Sequence, residues 1–288
     1  MGPLSPEPVI AVLMDCDDTL CDDSTDFLLS QLGIDPAREF WPRVTPKITA
    51  GWDAPLAYST ELVKITQERK IDFTKSTLGR IGSQLKFYKG VPRVFEELKK
   101  HVTELGKQLG IHLQIEFYVI SSGFEELLLS SQVAPYANEL FGCTFDYDES
   151  GRVLGPKSIV SFTEKTKFLF AINKGIMKDE LRRNPASVNE AVDDKDRRVP
   201  FQQMIYLGDG PTDIPCFSTI MKLRGKGIGI IKQNRPERGL PLWKGKRLTV
   251  GPYHPDYGAG SDLRTMLEQV IDDIALGINQ RSKLRLYP

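Results

Sequence analysis

The sequence predicts an α/β fold with a largely parallel sheet and an inserted helical segment. Short apolar runs typical of buried strands alternate along the chain with amphipathic stretches of helical periodicity. This alternation is typical of parallel sheets covered by helices on both faces. At 288 residues, the chain is long enough for one large α/β domain, or for a core with a smaller attached domain.

Each predicted element rests on a specific stretch of sequence. Four apolar runs bounded by Gly and Ser predict strands, and a weaker run predicts a fifth: VIAVLM (9–14), IEFYVI (115–120), QMIYL (203–207), GIGII (227–231) and the weaker RLTV (247–250). Amphipathic stretches predict helices over 91–105, 124–133, 163–175 and 261–276. The highly charged stretch 176–202 is interpreted as a solvated excursion between a helix and a strand.

The segment from 22 to 88 interrupts the alternation of strands and helices. It contains two long helical stretches, APLAYSTELVKITQERK and FTKSTLGRIGSQLKF, and little that resembles a strand. We therefore predict a helical cap domain at 22–88, inserted into an α/β catalytic core formed by residues 1–21 and 89–288.

Composition excludes several classes of protein. With 40% apolar and 26% charged residues, the chain can bury a sizeable core and does not resemble a disordered protein. The 38 basic and 38 acidic residues give a formal net charge of zero, so general attraction to nucleic acid or to an anionic membrane is not expected. No apolar stretch approaches the roughly 20 residues of a membrane span, and MGPLSPEP lacks the features of a targeting segment.

The cysteines and histidines favour structural roles. The four cysteines show no CxxC spacing and no companion histidines: Cys16, Cys21, Cys143 and Cys216. We interpret them as reduced thiols of a cytoplasmic protein, not as a zinc site or a disulfide framework. The three histidines are scattered and are interpreted as surface or packing residues: His101, His112 and His254.

Five carboxylates directly follow the first predicted strand: Asp15, Asp17, Asp18, Asp22 and Asp23. Like charges this close repel one another, and a carboxylate at the end of a buried strand also loses hydration. The cluster is tolerable if its members point into solvent or if a cation holds them together.

Polar groups also follow two other strong strands. SSGF (121–124) follows the run at 115–120, and GDGPTD (208–213) follows the run at 203–207. In parallel sheets, ligands bind at the carboxyl ends of the strands. If the three strands are neighbours, these groups and the Asp15 cluster converge at one edge.

The converging residues suit a metal and a phosphate. Four carboxylates would favour a hard cation such as Mg²⁺, which takes oxygen ligands: Asp15, Asp17, Asp209 and Asp213. Such a site makes an aspartate usable as a nucleophile toward phosphorus. Ser121, with the amides of SSG at a strand-to-helix turn, and Lys165 at a helix start, can hold the phosphate.

Four motifs in order resemble those of the haloacid dehalogenase-like superfamily. DCDDTL resembles its DxDx[T/V] signature, and VISSGF, the lysine of TEKTKF and GDGPTD resemble the other three motifs. The pattern is most similar to the phosphoserine-phosphatase-like branch, in which YKGVPRVFEEL resembles the return from cap to core. The resemblance covers roughly residues 9–21 and 89–232. It implies a Rossmann-like core and a magnesium-dependent phosphatase acting on a small phosphorylated metabolite.

The resemblance also implies a role for each site residue. Asp15 is the nucleophile that forms an aspartyl phosphate, and Asp17 is the general acid and base whose backbone carbonyl also ligates Mg²⁺. Asp209 is a direct metal ligand, and Asp213 supports the metal through water or orients Lys165. The phosphate is bound by Ser121, Ser122, Gly123 and Lys165. Asp22 and Asp23 are expected in the solvated linker to the cap.

Several positions depart from the family pattern or are open to more than one reading. Asp18 replaces the commoner Gly and is interpreted as capping the following turn. Cys16 alternates with the two aspartates, so its thiol is expected to point away from them. Ser24 stands where phosphoserine phosphatases have a glutamate for the substrate's amino group, and Asp22, Asp23 or Asp26 are possible substitutes. Six cap residues are interpreted as packing and surface in preference to a substrate pocket: Arg38, Trp41, Arg43, Lys47, Trp52 and Tyr58.

Two other functions stay open at this point. A phosphotransferase or mutase would pass the aspartyl phosphate to another acceptor behind a cap that excludes water. A non-catalytic phosphate-binding partner protein would normally lack Asp15 or Asp17, and both are present.

Overall fold

A seven-stranded sheet with the order β4-β3-β2-β1-β5-β6-β7 forms the centre of the computed structural model, which describes residues 8–232, 245 and 247–284. The strands are β1 (Val9–Met14), β2 (Gln114–Phe124), β3 (Glu139–Tyr147), β4 (Val153–Ser158), β5 (Met204–Gly208), β6 (Lys226–Ile230) and β7 (Val250–Tyr253). The β3–β4 pair is antiparallel, and the other neighbouring pairs are parallel. The predicted α/β class with a mostly parallel sheet is confirmed.

Helices cover both faces of this sheet. They are α1 (Ser24–Gln31), α2 (Trp41–Thr49), α3 (Ala54–Glu68), α4 (Lys75–Gly82), α5 (Arg93–Leu109), α6 (Glu125–Leu129), α7 (Glu164–Lys174), α8 (Lys178–Arg183), α9 (Ile214–Lys222) and α10 (Asp262–Leu284). Ala11 and Leu13 of β1 belong to an apolar cluster that includes residues of α7 and α9. Val12 and Met14 belong to a second cluster with α5 and α10, because successive strand residues point to opposite faces.

The segment 22–88, predicted to be an insertion, contains α1 to α4, with a π-helical turn at Pro36–Phe40 before α2. Side-chain caps begin α1, α3 and α4 at Asp23, Asp53 and Thr74, each accepting bonds from backbone amides of the first turn. Apolar side chains of the insertion share the cluster that contains Ala11 and Leu13, among them Leu28 and Leu78. The boundaries at 22 and 88 stay a prediction.

Some expectations concern residues outside the described ranges. The predicted core segments 1–21 and 89–288 include residues 1–7, 233–244, 246 and 285–288, which are not described. The expectation about a targeting segment in MGPLSPEP concerns mainly residues 1–7. Among the helices of the described ranges, none combines the length and apolar character that crossing a membrane requires.

The sequence did not predict β3 and β4, and it placed β7 too early. Gly142 interrupts the apolar run of β3, and a Cβ there would lie 2.8 Å from the backbone nitrogen of Glu125. β4 is an edge strand containing Gly155 and a proline, so its apolar signal is weak. In β7, Val250 pairs with Ile228 and Tyr253 pairs with Ile230, so only the last residue of the predicted 247–250 lies in the strand.

Two other predictions are corrected. The predicted helix 124–133 ends at Leu129, where the Ser131 hydroxyl bonds the carbonyl of Leu128. The stretch 176–202 is not simply solvated. It contains α8, and its charges reach the core: Arg198 binds buried Glu116, and Lys178 and Arg182 both contact the carboxylate of buried Glu125.

Candidate active site

The carboxyl ends of β2, β1 and β5 lie side by side, as the sequence predicted. Met14 at the end of β1 pairs with Val119 of β2 on one side and with Leu207 of β5 on the other. The Asp15 amide continues this pairing and donates to the carbonyl of Leu207 at 2.9 Å. The polar residues that follow these three strands therefore meet at one edge of the sheet.

Lys165 joins two of the predicted aspartates. Its Nζ donates to Asp15 Oδ1 and to Asp213 Oδ1, both at 2.8 Å, and all three side chains are almost completely buried. Burial by itself would lower the pKa of the Lys165 ammonium, but the two carboxylates more than offset this and the pKa is raised. A permanently charged ammonium thus sits beside the predicted nucleophile.

The Asp15 carboxyl is destabilised as an anion in the metal-free protein. Burial raises its pKa from 3.8 to about 7, the nearby Asp213 adds to this rise, and Lys165 opposes it. A cation bound at Asp15 would favour the ionised form that a nucleophile needs.

Asp213 is held from four directions. Its Oδ1 accepts from Lys165 and from the Tyr206 hydroxyl at 2.7 Å, and its Oδ2 accepts from the amides of Asp209 and Gly210 at 3.2 and 3.3 Å. A carboxylate with both oxygens engaged in this way orients Lys165 and is poorly placed to be a direct metal ligand. Two roles were predicted for Asp213, and the geometry favours the one in which it orients Lys165.

Asp15, Asp209 and Asp213 form a group suited to a hard cation. Within the described residues, one carboxylate oxygen from each lies within 4.8 Å of the other two. Octahedral Mg²⁺, with ligands at about 2.1 Å, keeps its oxygens roughly 3 to 4 Å apart. The spacing and the all-oxygen donor set therefore fit Mg²⁺ after small movements, and Asp15 and Asp209 are the residues that could ligate it directly.

Asp17 lies beside Ser24 and Gly123. Its Oδ1 accepts from the Ser24 amide at 2.8 Å, and a Cβ built on Gly123 would lie 3.0 Å from its Oδ2. Burial, followed by the charges of Asp23 and Asp15, raises the pKa of Asp17 from 3.8 to about 8. A carboxyl that keeps its proton near neutral pH is suited to donate it to a leaving group.

The predicted phosphate-binding residues end β2. The expected strand-to-helix turn is wrong, because β2 continues through Phe124, and the helix that follows is only five residues long. Ser121 is fully buried and its Oγ accepts from the Gly123 amide at 2.9 Å. The Ser122 carbonyl accepts from the Tyr58 hydroxyl and from the Cys143 thiol, and the Ser122 Oγ is buried with no hydrogen-bond partner among the described residues.

Asp18 and Asp22 share one lysine. Lys232 Nζ lies 2.8 Å from Asp18 Oδ1 and 2.6 Å from Asp22 Oδ1, and the Tyr88 hydroxyl also donates to Asp22. Asp18 has a positive φ of 56° and is buried, so its observed role is an ion pair that the turn-capping interpretation did not anticipate. Lys232 follows the GIGII run, so the strand-end argument used for the other motifs would have found it.

Asp22 and Asp23 only partly match the expected solvated linker. Asp22 is exposed but ion-paired, and Asp23 caps α1 through bonds from the amides of Thr25 and Asp26. The Cys16 thiol is also not simply directed away from the aspartates, since its Sγ, the Cys21 Sγ and an Asp17 oxygen lie within 4.8 Å of one another.

Three of the six residues named for the predicted cap make contacts within the segment 22–88. Arg43 and Lys47 both pair with buried Glu61, and the Lys47 ammonium also lies over the Trp52 ring. Tyr58 differs because its hydroxyl reaches the Ser122 carbonyl of the predicted phosphate-binding segment. The sequence carried no signal that separates Tyr58, or the core residue Tyr206, from ordinary packing aromatics.

Comparisons with known proteins found one relative by sequence and several similar solved structures. No family model matches the chain. Over 158 residues, the chain is 30% identical to an uncharacterized protein of Borreliella burgdorferi, and the match spans 50% of this chain and about half, 51%, of that relative.

Two solved structures are similar over nearly the whole chain. A substrate-bound phosphoserine phosphatase complex matches with a TM-score of 0.53 and 14% identity, covering 91% of this chain and 99% of that one. A phospho-aspartyl intermediate analogue of phosphoserine phosphatase matches with a TM-score of 0.52 and 13% identity, with the same coverage. The chain therefore has the fold of these phosphoserine phosphatases, which is the fold that the resemblance of the four motifs implies.

Proposed function

We propose that the protein is a magnesium-dependent phosphatase that hydrolyses a small phosphomonoester through an aspartyl phosphate on Asp15. The observation that carries this proposal is the buried contact of Lys165 with Asp15 and Asp213, beside Asp209, at the meeting point of three strand ends. Such a set provides a nucleophile, a fixed positive charge and a cation site within one cluster.

In the first step, a carboxylate oxygen of Asp15 attacks phosphorus and forms an acyl–phosphate bond. The bond from phosphorus to the alcohol oxygen breaks, and Asp17 donates its proton to that leaving oxygen. Lys165 keeps the Asp15 carboxylate oriented and balances phosphoryl charge. Ser121 and the Gly123 amide, which bond each other at the end of β2, are proposed to hold the phosphate oxygens. Bound Mg²⁺ would neutralise charge on the phosphate and on Asp15.

In the second step, Asp17 takes a proton from a water molecule. That water attacks phosphorus, the acyl–phosphate bond breaks, and inorganic phosphate leaves with Asp15 restored. Asp17 ends the cycle protonated, as it began.

The test is a screen of phosphorylated metabolites with Mg²⁺, measuring free phosphate. Asp15→Asn should keep the fold and lose activity, because an amide does not attack phosphorus. Asp22→Asn is a matched control from the same acidic stretch, since Asp22 is 77% exposed and outside the proposed machinery. Residual turnover of Asp15→Asn within about tenfold of wild type, roughly 1.4 kcal/mol in barrier, would remove Asp15 as the nucleophile.

Measuring the fate of the phosphoryl group separates hydrolysis from transfer. Release of free phosphate in step with loss of substrate supports a phosphatase, whereas transfer to an added alcohol without phosphate release supports the phosphotransferase alternative.

The substrate is proposed to be a small phosphomonoester other than phosphoserine. Ser24 is buried beside Asp17 and Gly123. By the resemblance in sequence, it stands where phosphoserine phosphatases have an amino-binding glutamate. Ser24→Glu should place a carboxylate near an anionic ligand and raise KM by roughly five- to thirtyfold, equivalent to about 1 to 2 kcal/mol, with a smaller change in kcat. A wild-type preference for phosphoserine over other phosphomonoesters contradicts this substrate assignment.

A further inference from the structure

Two cysteines flank Asp17 in the turn that follows β1. Cys16 Sγ and Cys21 Sγ lie 3.5 Å apart, and both side chains are buried and free. The turn is fixed by its own backbone: the Cys21 amide donates to the Cys16 carbonyl at 3.2 Å, and the Asp18 amide donates to the Cys21 carbonyl at 2.7 Å. The proximity of the two thiols is therefore set by the backbone.

A carboxylate oxygen of Asp17 completes a three-ligand group with these thiols. The two sulfurs and this oxygen all lie within 4.8 Å of one another. In tetrahedral zinc sites, Zn–S distances of about 2.3 Å imply sulfurs roughly 3.8 Å apart. The observed sulfur separation is within a few tenths of an ångström of that value.

We propose that Cys16, Cys21 and Asp17 bind a thiophilic divalent cation of the zinc class, which departs from the interpretation of these two cysteines that the sequence indicated. Binding releases the two thiol protons to solvent, and the resulting thiolates and the Asp17 carboxylate become ligands, with no change of oxidation state. Asp17 is the partly exposed member of the group and gives the ion its route of entry.

The softness of the donors separates this site from the oxygen-only group at Asp15 and Asp209. Thiolates select zinc-class ions, whereas Mg²⁺ prefers carboxylates, carbonyls and water. If the proposed phosphatase function holds, zinc at this site inhibits the enzyme, because it occupies the oxygen of Asp17 that must carry the proton.

The site is tested spectroscopically with cobalt(II) as the probe, in excess magnesium and with a phosphine reductant to keep the thiols reduced. Wild-type protein should show a thiolate-to-cobalt charge-transfer band that titrates to one equivalent and is displaced by zinc. Cys16→Ala, Cys21→Ala and the double variant should weaken cobalt binding by at least about tenfold. Cys216→Ala is the matched control, since it removes an equally buried cysteine that is not in the group.

Each outcome decides the proposal without requiring turnover. If folded wild-type protein shows no charge-transfer band, the proposal is overturned. It is also overturned if the double variant shows a band of equal strength while its circular dichroism shows the native fold. Should the alanine variants fail to fold, Cys16→Ser and Cys21→Ser replace them under the same criterion. Inhibition is a second readout: zinc that inhibits wild type and the double variant equally is acting at the magnesium group, and this contradicts the inhibitory role.

Discussion

The buried lysine provides the most direct test of how the site is held together. In Lys165→Met, a side chain of similar length keeps the packing but removes the ammonium that contacts Asp15 and Asp213 at 2.8 Å. Removing one partner of a buried ion pair leaves uncompensated charge and typically costs about 3–5 kcal/mol. We expect a loss of stability in that range for the metal-free protein.

The measurement is urea unfolding in the presence of a chelator, followed by circular dichroism. Lys167→Met is the matched control, because Lys167 lies on the same helix but is 29% exposed, and its ammonium pairs with Glu164 three residues earlier and lies over the Phe168 ring. An exposed pair of this kind contributes about 0–1 kcal/mol. The two variants should therefore differ by several kcal/mol without a difference in m-value.

A double variant tests the reason for the loss. Lys165→Met combined with Asp213→Asn removes one of the two stranded carboxylates, so it should be more stable than the sum of the single losses implies. A loss of less than about 1 kcal/mol in Lys165→Met, equal to that of the control, would refute the inference that this ion pair organises the site. Strict additivity in the double variant would refute it independently.

Three further predictions concern pH, the phosphate-binding segment and the metal. The pKa values of Asp15 and Asp17 in the folded metal-free protein, about 7 and about 8, lie above the ordinary 3.8. The stabilisation from their protonated forms is therefore fully present below about pH 4 and is lost as the pH rises from there through the folded pKa values of about 7 and 8. The free energy of unfolding should fall between these limits, and Mg²⁺ should reduce the fall. A midpoint of unfolding that does not change with pH contradicts this prediction. Gly123→Ala should lower kcat, because its Cβ would lie 2.8 Å from the Ser24 hydroxyl and 3.0 Å from Asp17, whereas Gly155→Ala, with nothing within 4 Å, should match wild type. After chelation, Mg²⁺ should restore phosphate release and Ca²⁺ should restore it poorly, because Ca²⁺ accepts more ligands in looser geometry; equal rescue counts against the coordination scheme.

The sequence by itself determined the strands of the site and the residues that end them. The apolar runs of β1, β2 and β5 are short, continuous and followed at once by polar residues, so local pattern was enough to place Asp15, Ser121 and Asp209 at one edge. The same dependence on local pattern explains why β3 and β4 were not predicted, because Gly142 and Gly155 interrupt their apolar runs.

Contacts between distant segments were decided only by the tertiary structure. Lys165 lies 150 residues from Asp15 in the chain, and Lys232 lies 214 residues from Asp18, so no local pattern fixes which carboxylate each lysine meets. The sequence left open whether Asp213 holds the metal or the lysine, because both roles require the same residue type. Its two oxygens accept four hydrogen bonds, one of them from the buried Tyr206 hydroxyl, and these bonds favour the role in which Asp213 holds Lys165. The sequence could not predict them because they depend on where the side chains pack.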